Sequence, residues 1–271
     1  MKLIVKRTLS GLVFVSVLIF SILFSKISFI FIFFISMLFC LYEFKKMIQL
    51  KSIFPYIIGT LLFIFGNILN VDDVPARIIF EYVGVMLFLT IFITFASILF
   101  AKKEEVVSHL GKIFLTIIYI VVPFTLIVQI PFLNASFNYV NTTILGVFIL
   151  IWTNDTFAFL VGKNIGKNKL LERISPNKTI EGFIGGMVFT FLGSLILANQ
   201  FTSLTQKQWL VIAGIVSIFG VLGDLIESMF KRQAGVKDSS NFIPGHGGFL
   251  DRFDSVIFAA PFIFIYLQLA S

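Results

Sequence analysis

The chain has little charge, almost no cysteine and no obvious linker. Only 13% of its 271 residues are charged and 58% are apolar, with 36 Phe, and mean hydropathy is +1.02. A water-soluble domain of this size could not hide so much apolar surface, so a soluble fold is excluded. Cys40 is the one cysteine and sits in an apolar run, which argues against disulfides, a zinc cluster or thiolate catalysis. No Pro/Ser-rich linker, low-complexity tract or convincing internal repeat interrupts the sequence, so one membrane domain over 1–271 is expected. The lack of a repeat weakens a transporter built from two related halves. The N-terminal apolar run follows Lys2, Lys6 and Arg7 as a signal peptide would. It lacks a small-residue cleavage site, however, and a second run begins almost at once, so it is expected to be retained.

What is abundant is membrane-spanning sequence. A helix crosses a hydrocarbon layer ~30 Å thick with about 20 apolar residues. Runs at 9–25, 27–42, 53–69, 79–100, 112–130, 142–162, 180–198, 208–226 and 254–270 predict an all-α polytopic protein of about nine transmembrane helices. With that count, all of the 21 Lys and Arg except Lys26, Arg77 and Lys207 fall on one side. Positive charge near span ends stays cytoplasmic, so the N-terminus is expected inside and the C-terminus outside. The net charge of +7 then reflects topology and attraction to anionic headgroups, and gives no support to nucleic-acid binding.

Against this hydrocarbon background two cytoplasmic loops stand out. The first follows a span containing Asp155 and reads Gly162-Lys163-Asn164-Ile165-Gly166-Lys167-Asn168-Lys169, then Ser175-Pro176-Asn177-Lys178-Thr179-Ile180-Glu181-Gly182. Glycines interleaved with lysines let backbone N–H groups and ammonium ions approach phosphate oxygens. No Gly-Lys-Ser/Thr Walker loop is present. A basic loop held only by the positive-inside effect is the competing reading. Ser175 to Thr179 reads as the approach to a helix with Glu181 in its first turn.

The second region is denser. From Ser228 to Asp254 the chain carries Lys231, Arg232, Lys237, Asp238, His246, Asp251, Arg252 and Asp254 around Pro244-Gly245-His246-Gly247-Gly248. Asp224, Glu227 and Ser228 are spaced i, i+3, i+4, hence on one helical face, with Lys231 a turn further. Asp251 and Asp254 are again i, i+3 where the last span begins. Carboxylates so spaced share a hard cation such as Mg²⁺, and helix N-capping is the alternative. Asp251 and Asp254 are therefore a candidate metal-binding pair. Gly247 and Gly248 bring backbone close to a ligand, and His246 is either a phosphate donor or a strut for the turn.

The run Ser228-Met-Phe-Lys231-Arg232, then Lys237-Asp238, then Pro244-Gly-His-Gly-Gly-Phe-Leu-Asp251-Arg252-Phe-Asp254 resembles the signature of the phosphatidate cytidylyltransferases, or CDP-diacylglycerol synthases. The Asp155-Thr156, Gly162-Lys163 and Ser175-to-Gly182 segments resemble the same family. The similarity is strong over 152–182 and 220–256, and the spans within 1–140 match only in being hydrophobic. Phe157 and Phe159 depart from the family pattern, in which a small residue and a Tyr are expected.

The resemblance implies a dimeric membrane enzyme making CDP-diacylglycerol and pyrophosphate from CTP and phosphatidic acid, with Mg²⁺ or another divalent cation held by Asp224, Asp251 and Asp254. It places the chemistry in the half 141–271, at the cytoplasmic side of the cell membrane. Phosphatidate has an ionised phosphate near neutral pH, so charge neutralisation and in-line positioning are needed more than a general base. Lys231, Arg232, Lys237 and Arg252 are expected to balance the triphosphate, with Asp238 beside them. Lys163, Lys167 and Lys169 are expected to hold the lipid phosphate, and Asp155, Ser175, Lys178, Glu181, Glu227 and Ser228 to complete the pocket. A CTP-using polyprenol kinase or CDP-archaeol synthase is the related alternative. A lipid or phosphate transporter is the alternative of another class; it predicts charges near mid-bilayer, whereas here nearly all gather at one interface.

Overall fold

The structure, a computed structural model, describes residues 2–68, 85, 106–133, 138–245 and 247–270. Eight helices are seen among them: α1 (Lys2–Phe24), α2 (Lys26–Met47), α3 (Phe54–Ile68), α4 (Val106–Phe132), α5 (Asn141–Ile165), α6 (Ile180–Gln200), α7 (Gln206–Gln233) and α8 (Leu250–Ala270). Six of these, α2 and α4 to α8, are long and apolar enough to cross a membrane; α1 and α3 contain shorter apolar stretches. The expected span at 79–100 lies outside the described residues apart from Val85. Each of the other eight predicted spans coincides with one helix.

Caps fix several boundaries. Ser25 and Ser28 form a capping box at the start of α2, and Thr205 and Gln208 do so for α7. The far end of α7 closes where Gly235, at φ +70°, lets Val236 N–H reach the Lys231 carbonyl and Gly235 N–H the Arg232 carbonyl. That turn sends the chain sharply away from the helix just past the basic pair, into the loop that carries the remaining signature residues.

Two helices are not regular. α4 contains a wide π turn at Ile117–Val121 and α7 another at Val216–Gly220. Such turns insert one residue and rotate the helix that follows. In α7 the turn stands immediately before Val221, so it sets which face Asp224, Glu227 and Lys231 present.

The interior is held by aromatic packing. Phe33 of α2 meets Phe124 of α4, Phe148 of α5 and Phe253 of α8, with ring centroids 5.8–6.4 Å apart. Between lipid-embedded helices it is close fit that selects the arrangement, since lipid tails are as apolar as the side chains. Small residues supply that fit on the polar side of the molecule. Gly182 and Gly186 of α6 lie against the backbone of α5 at Ala158 and Asn154, and Gly223 of α7 lies against the Asp254 carbonyl. A Cβ at any of the three would collide.

One departure from an all-helical chain is the 166–179 segment. The sequence predicts a loop leading into a helix there. The structure has an antiparallel hairpin, β1 (Lys169–Leu171) and β2 (Ser175–Thr179), pairing Lys169 with Thr179 and Leu171 with Ser175. β2 runs straight into α6, where the Thr179 hydroxyl accepts from Gly182 N–H at 3.1 Å as the N-cap.

Candidate active site

A cavity of about 670 Å³ opens between two walls. One wall is α5, the hairpin and the start of α6, contributing Asp155, Lys163, Ser175, Asn177, Lys178 and Thr179. The other is α7, the 234–249 loop and the start of α8, contributing Asp224, Lys231, Asp238, Asp251, Arg252 and Asp254. Residues far apart in sequence thus converge because two helix ends and a hairpin meet at one level of the bundle.

The first wall is rigidified from within. Glu181, in the first turn of α6, accepts from Lys167 N–H at 3.0 Å, from Asn168 N–H at 3.2 Å and from the Asn168 side-chain amide at 2.7 Å. A carboxylate here also complements the helix dipole. Its role is to fasten the glycine-lysine loop, and it does not line the cavity. The Lys167 side chain is exposed and also points elsewhere, whereas Lys163 lines the cavity with its ammonium 5.9 Å from the Phe159 ring. Lys178 crosses the cavity and ion-pairs with Asp224 of the opposite wall.

The second wall centres on Asp251. Its Oδ1 accepts from Lys231 Nζ at 2.7 Å, and its Oδ2 accepts from Ser239 N–H at 3.0 Å and Gly248 N–H at 2.7 Å. Lys231 also ion-pairs with Glu227, which is fully buried. The ammonium is therefore a strut between α7 and α8 that shows one side to the cavity. Ser228 is buried and turns to Asp224 Oδ1 at 3.4 Å. Glu227 and Ser228 stand behind the lining, as do Gly247 and Gly248. Arg232 reaches away from it, donating to the Ile174 carbonyl at 3.4 Å and the Val236 carbonyl at 3.3 Å, which ties the two walls together at their rim. Lys237 is exposed beyond the lining. His246 lies outside the described residues.

Asp254 Oδ1 accepts from Ser255 N–H at 2.7 Å, and its carboxylate is within electrostatic reach of Asp224 and Asp155. Those three acids and Lys178 all line the cavity. Among the described residues no group of three His, Cys, Asp or Glu side chains is drawn together tightly enough to hold a metal ion by itself. The donor chemistry nonetheless fits a hard cation, because Asp155, Asp224 and Asp254 each offer carboxylate oxygen to the cavity.

The turn that carries the signature glycines has a backbone reason for them. Ile243 N–H donates to the Gly247 carbonyl at 2.9 Å, with Gly245 at φ +80° and Gly247 at φ +83°. L-residues with a side chain rarely adopt that region.

Sequence reasoning missed Glu43 of α2. It is fully buried and touches this loop from outside the cavity. The available signal was that it is the single acid in the first 71 residues, within an otherwise apolar run. Lys45 and Lys46 beside it made it read as an ordinary span end. Asn177, Thr179 and Ser255 also line the cavity without having been singled out.

Comparison with known proteins agrees with this geometry. Residues 5–270 match the cytidylyltransferase family. The chain is 36% identical over 278 residues to a phosphatidate cytidylyltransferase of Bacillus subtilis (strain 168), covering 98% of both chains. It is 49% identical over 126 residues to one of Staphylococcus epidermidis (strain RP62A), covering 46% of this chain and 48% of that one. Over the same length it is 50% identical to one of Staphylococcus aureus (strain COL). The match over residues 5–270, with a relative 36% identical over 98% of the chain, places this chain in the cytidylyltransferase family.

Proposed function

We propose that the protein is a phosphatidate cytidylyltransferase, which transfers CMP from CTP to phosphatidic acid and releases pyrophosphate. The observation that carries this reading is a cavity lined together by Lys163, Lys178 and Arg252 and by the carboxylates of Asp155, Asp224 and Asp254. A polyphosphate and a lipid phosphate both need cationic partners, and the acids would suit a divalent cation. In the reaction a phosphatidate oxygen forms a bond to the α-phosphorus of CTP while the bond from that phosphorus to the α–β bridging oxygen breaks. The electron pair leaves with pyrophosphate.

The chain's residues divide the work by position. Lys163, in the last turn of α5 on the first wall, is the contact for the lipid phosphate. Arg252 meets the triphosphate with a planar fork of donors. Lys178 is held across the cavity by Asp224, so substrate phosphate draws it from that pair into the reaction. Asp224 and Asp254, with Asp251 once released from Lys231, would hold a divalent cation such as Mg²⁺. That ion would neutralise charge on the triphosphate and on the departing pyrophosphate.

The setting follows the charge pattern. The site belongs at the cytoplasmic face of the cell membrane, where CTP is available and where the positively charged loops lie. A homodimer is the assembly proposed, with the exposed apolar residues Ile184, Val188, Leu192 and Ile196 of α6 as its contact. CTP labelled at the α-phosphorus tests the reaction. Label entering the lipid is expected; label remaining in CDP would identify a lipid kinase instead.

A further inference from the structure

We infer that Glu43, on the second helix and outside the cavity, is a positioning residue for the catalytic wall. It sets the loop 239–250 and the start of α8 at the register the reaction needs.

The geometry is that of a filled carboxylate. Oε1 accepts from Ser240 Oγ at 2.5 Å and from Phe249 N–H at 3.0 Å. Oε2 accepts from Ser239 Oγ at 2.8 Å and from Leu250 N–H at 2.8 Å. A carboxylate has about four acceptor positions, and here all are taken by one segment some 200 residues away. Ser239 and Ser240 open the loop; Phe249 and Leu250 close it. One side chain therefore staples both ends, and in doing so satisfies N–H groups that the first turn of α8 would otherwise leave without a partner.

This staple is coupled to the reacting groups through Ser239. Its hydroxyl lies 2.8 Å from Glu43 Oε2 and 2.9 Å from Asp251 Oδ2, while its N–H donates to Asp251. A hydroxyl has one proton, so the two carboxylates share a single donor. The chain of contacts runs Glu43, Ser239, Asp251, Lys231, Glu227, and its last three members belong to the cavity wall or its backing. A side-chain network of this kind favours one arrangement of its members.

Two independent features support the same conclusion. The rest of that α2 face is shaped to the loop: Phe39 stacks on Phe249 with centroids 4.6 Å apart and planes 11° off parallel, and Phe39 and Tyr42 both meet Phe242 at 5.1 and 5.9 Å. Gly248 also has no space for a side chain. A Cβ there would run into Ser239 Oγ and both oxygens of Glu43. The second glycine of the Gly247-Gly248 pair is thus required by the approach of the Glu43 carboxylate.

The test uses full-length protein in phosphatidate micelles, comparing Glu43→Gln with the unaltered chain. The amide keeps the shape but replaces one acceptor oxygen with a donor. Hydrogen exchange at 239–250 is expected to accelerate, while exchange in α5 and α6 stays unchanged. Per folded molecule, kcat is expected to fall about 10- to 100-fold, since small displacements of reacting groups cost that much. KM for CTP is expected to change less than twofold.

The inference is overturned by unchanged exchange at 239–250, or by faster exchange with kcat per folded molecule intact. If Glu43→Gln does not accumulate, Ser240→Ala withdraws one donor with the carboxylate in place and is judged by the same two readings. The kinetic reading rests on the cytidylyltransferase assignment and the exchange reading does not. An unaltered protein without CMP transfer would therefore defeat the assignment while exchange still decides the staple.

Discussion

The two walls of the cavity are both organised by a glutamate that never enters it, and they differ in where that glutamate comes from. Glu181 fastens Lys167 and Asn168, 14 and 13 residues away, at an exposed site. Glu43 fastens Ser239, Ser240, Phe249 and Leu250 from a fully buried position on another helix, 196 to 207 residues away. The first wall closes on itself and would keep its shape wherever α5 and α6 pair. The second keeps its shape only when α2 is packed beside α8. A membrane enzyme can thus keep its chemistry in one half of the chain and still depend on the other half for its geometry.

The sharpest way to separate the walls is Asp251→Asn. This carboxylate faces the cavity and also holds Lys231, Ser239 and Gly248. Turnover of phosphatidate is expected to fall about 10³-fold, the scale of several kcal/mol attached to charge stabilisation at a transferred phosphoryl group. Gly248→Ala comes next. It leaves every charged group in place but pushes the loop off Glu43, and a loss of about 10²-fold in kcat is expected. A near-normal Gly248→Ala enzyme would mean that the Glu43 approach is not needed.

Glu181→Gln should cost less, about tenfold or below, because the hairpin pairing and the Thr179 cap still shape the first wall. If its effect equals that of Glu43→Gln, the contrast between a self-supporting wall and a borrowed one is wrong. Arg232→Lys is the mildest. It removes the planar contact to Ile174 and Val236 at an exposed rim, and about a twofold loss is expected. Initial rates at saturating CTP and phosphatidate measure the last two.

Much of this arrangement could be read from the residues. Helices follow from apolar runs because hydrocarbon forces backbone groups to pair within a segment. Asp224 with Lys231, and Asp251 with Asp254, follow from helical spacing, and all four line the cavity. What spacing could not show is which polar residue faces inward and which fastens its neighbour. Glu181, Glu227, Ser228 and Arg232 belong to the polar segments yet act from behind the lining, because their partners are backbone groups or other acids and bases. The π turn at Val216–Gly220 leaves no residue pattern to follow. Glu43 was hidden for a different reason: its partners are about 200 residues away, and a single acid near two lysines reads as a span end.

The account stands most directly on the stoichiometry of one assay, in which purified protein is given phosphatidate and CTP with Mg²⁺ or with a chelator. The prediction is one pyrophosphate released for each CMP that enters the lipid with Mg²⁺, and neither product with the chelator. Lipid phosphorylation with CDP left behind, or full turnover in the chelator, would contradict it.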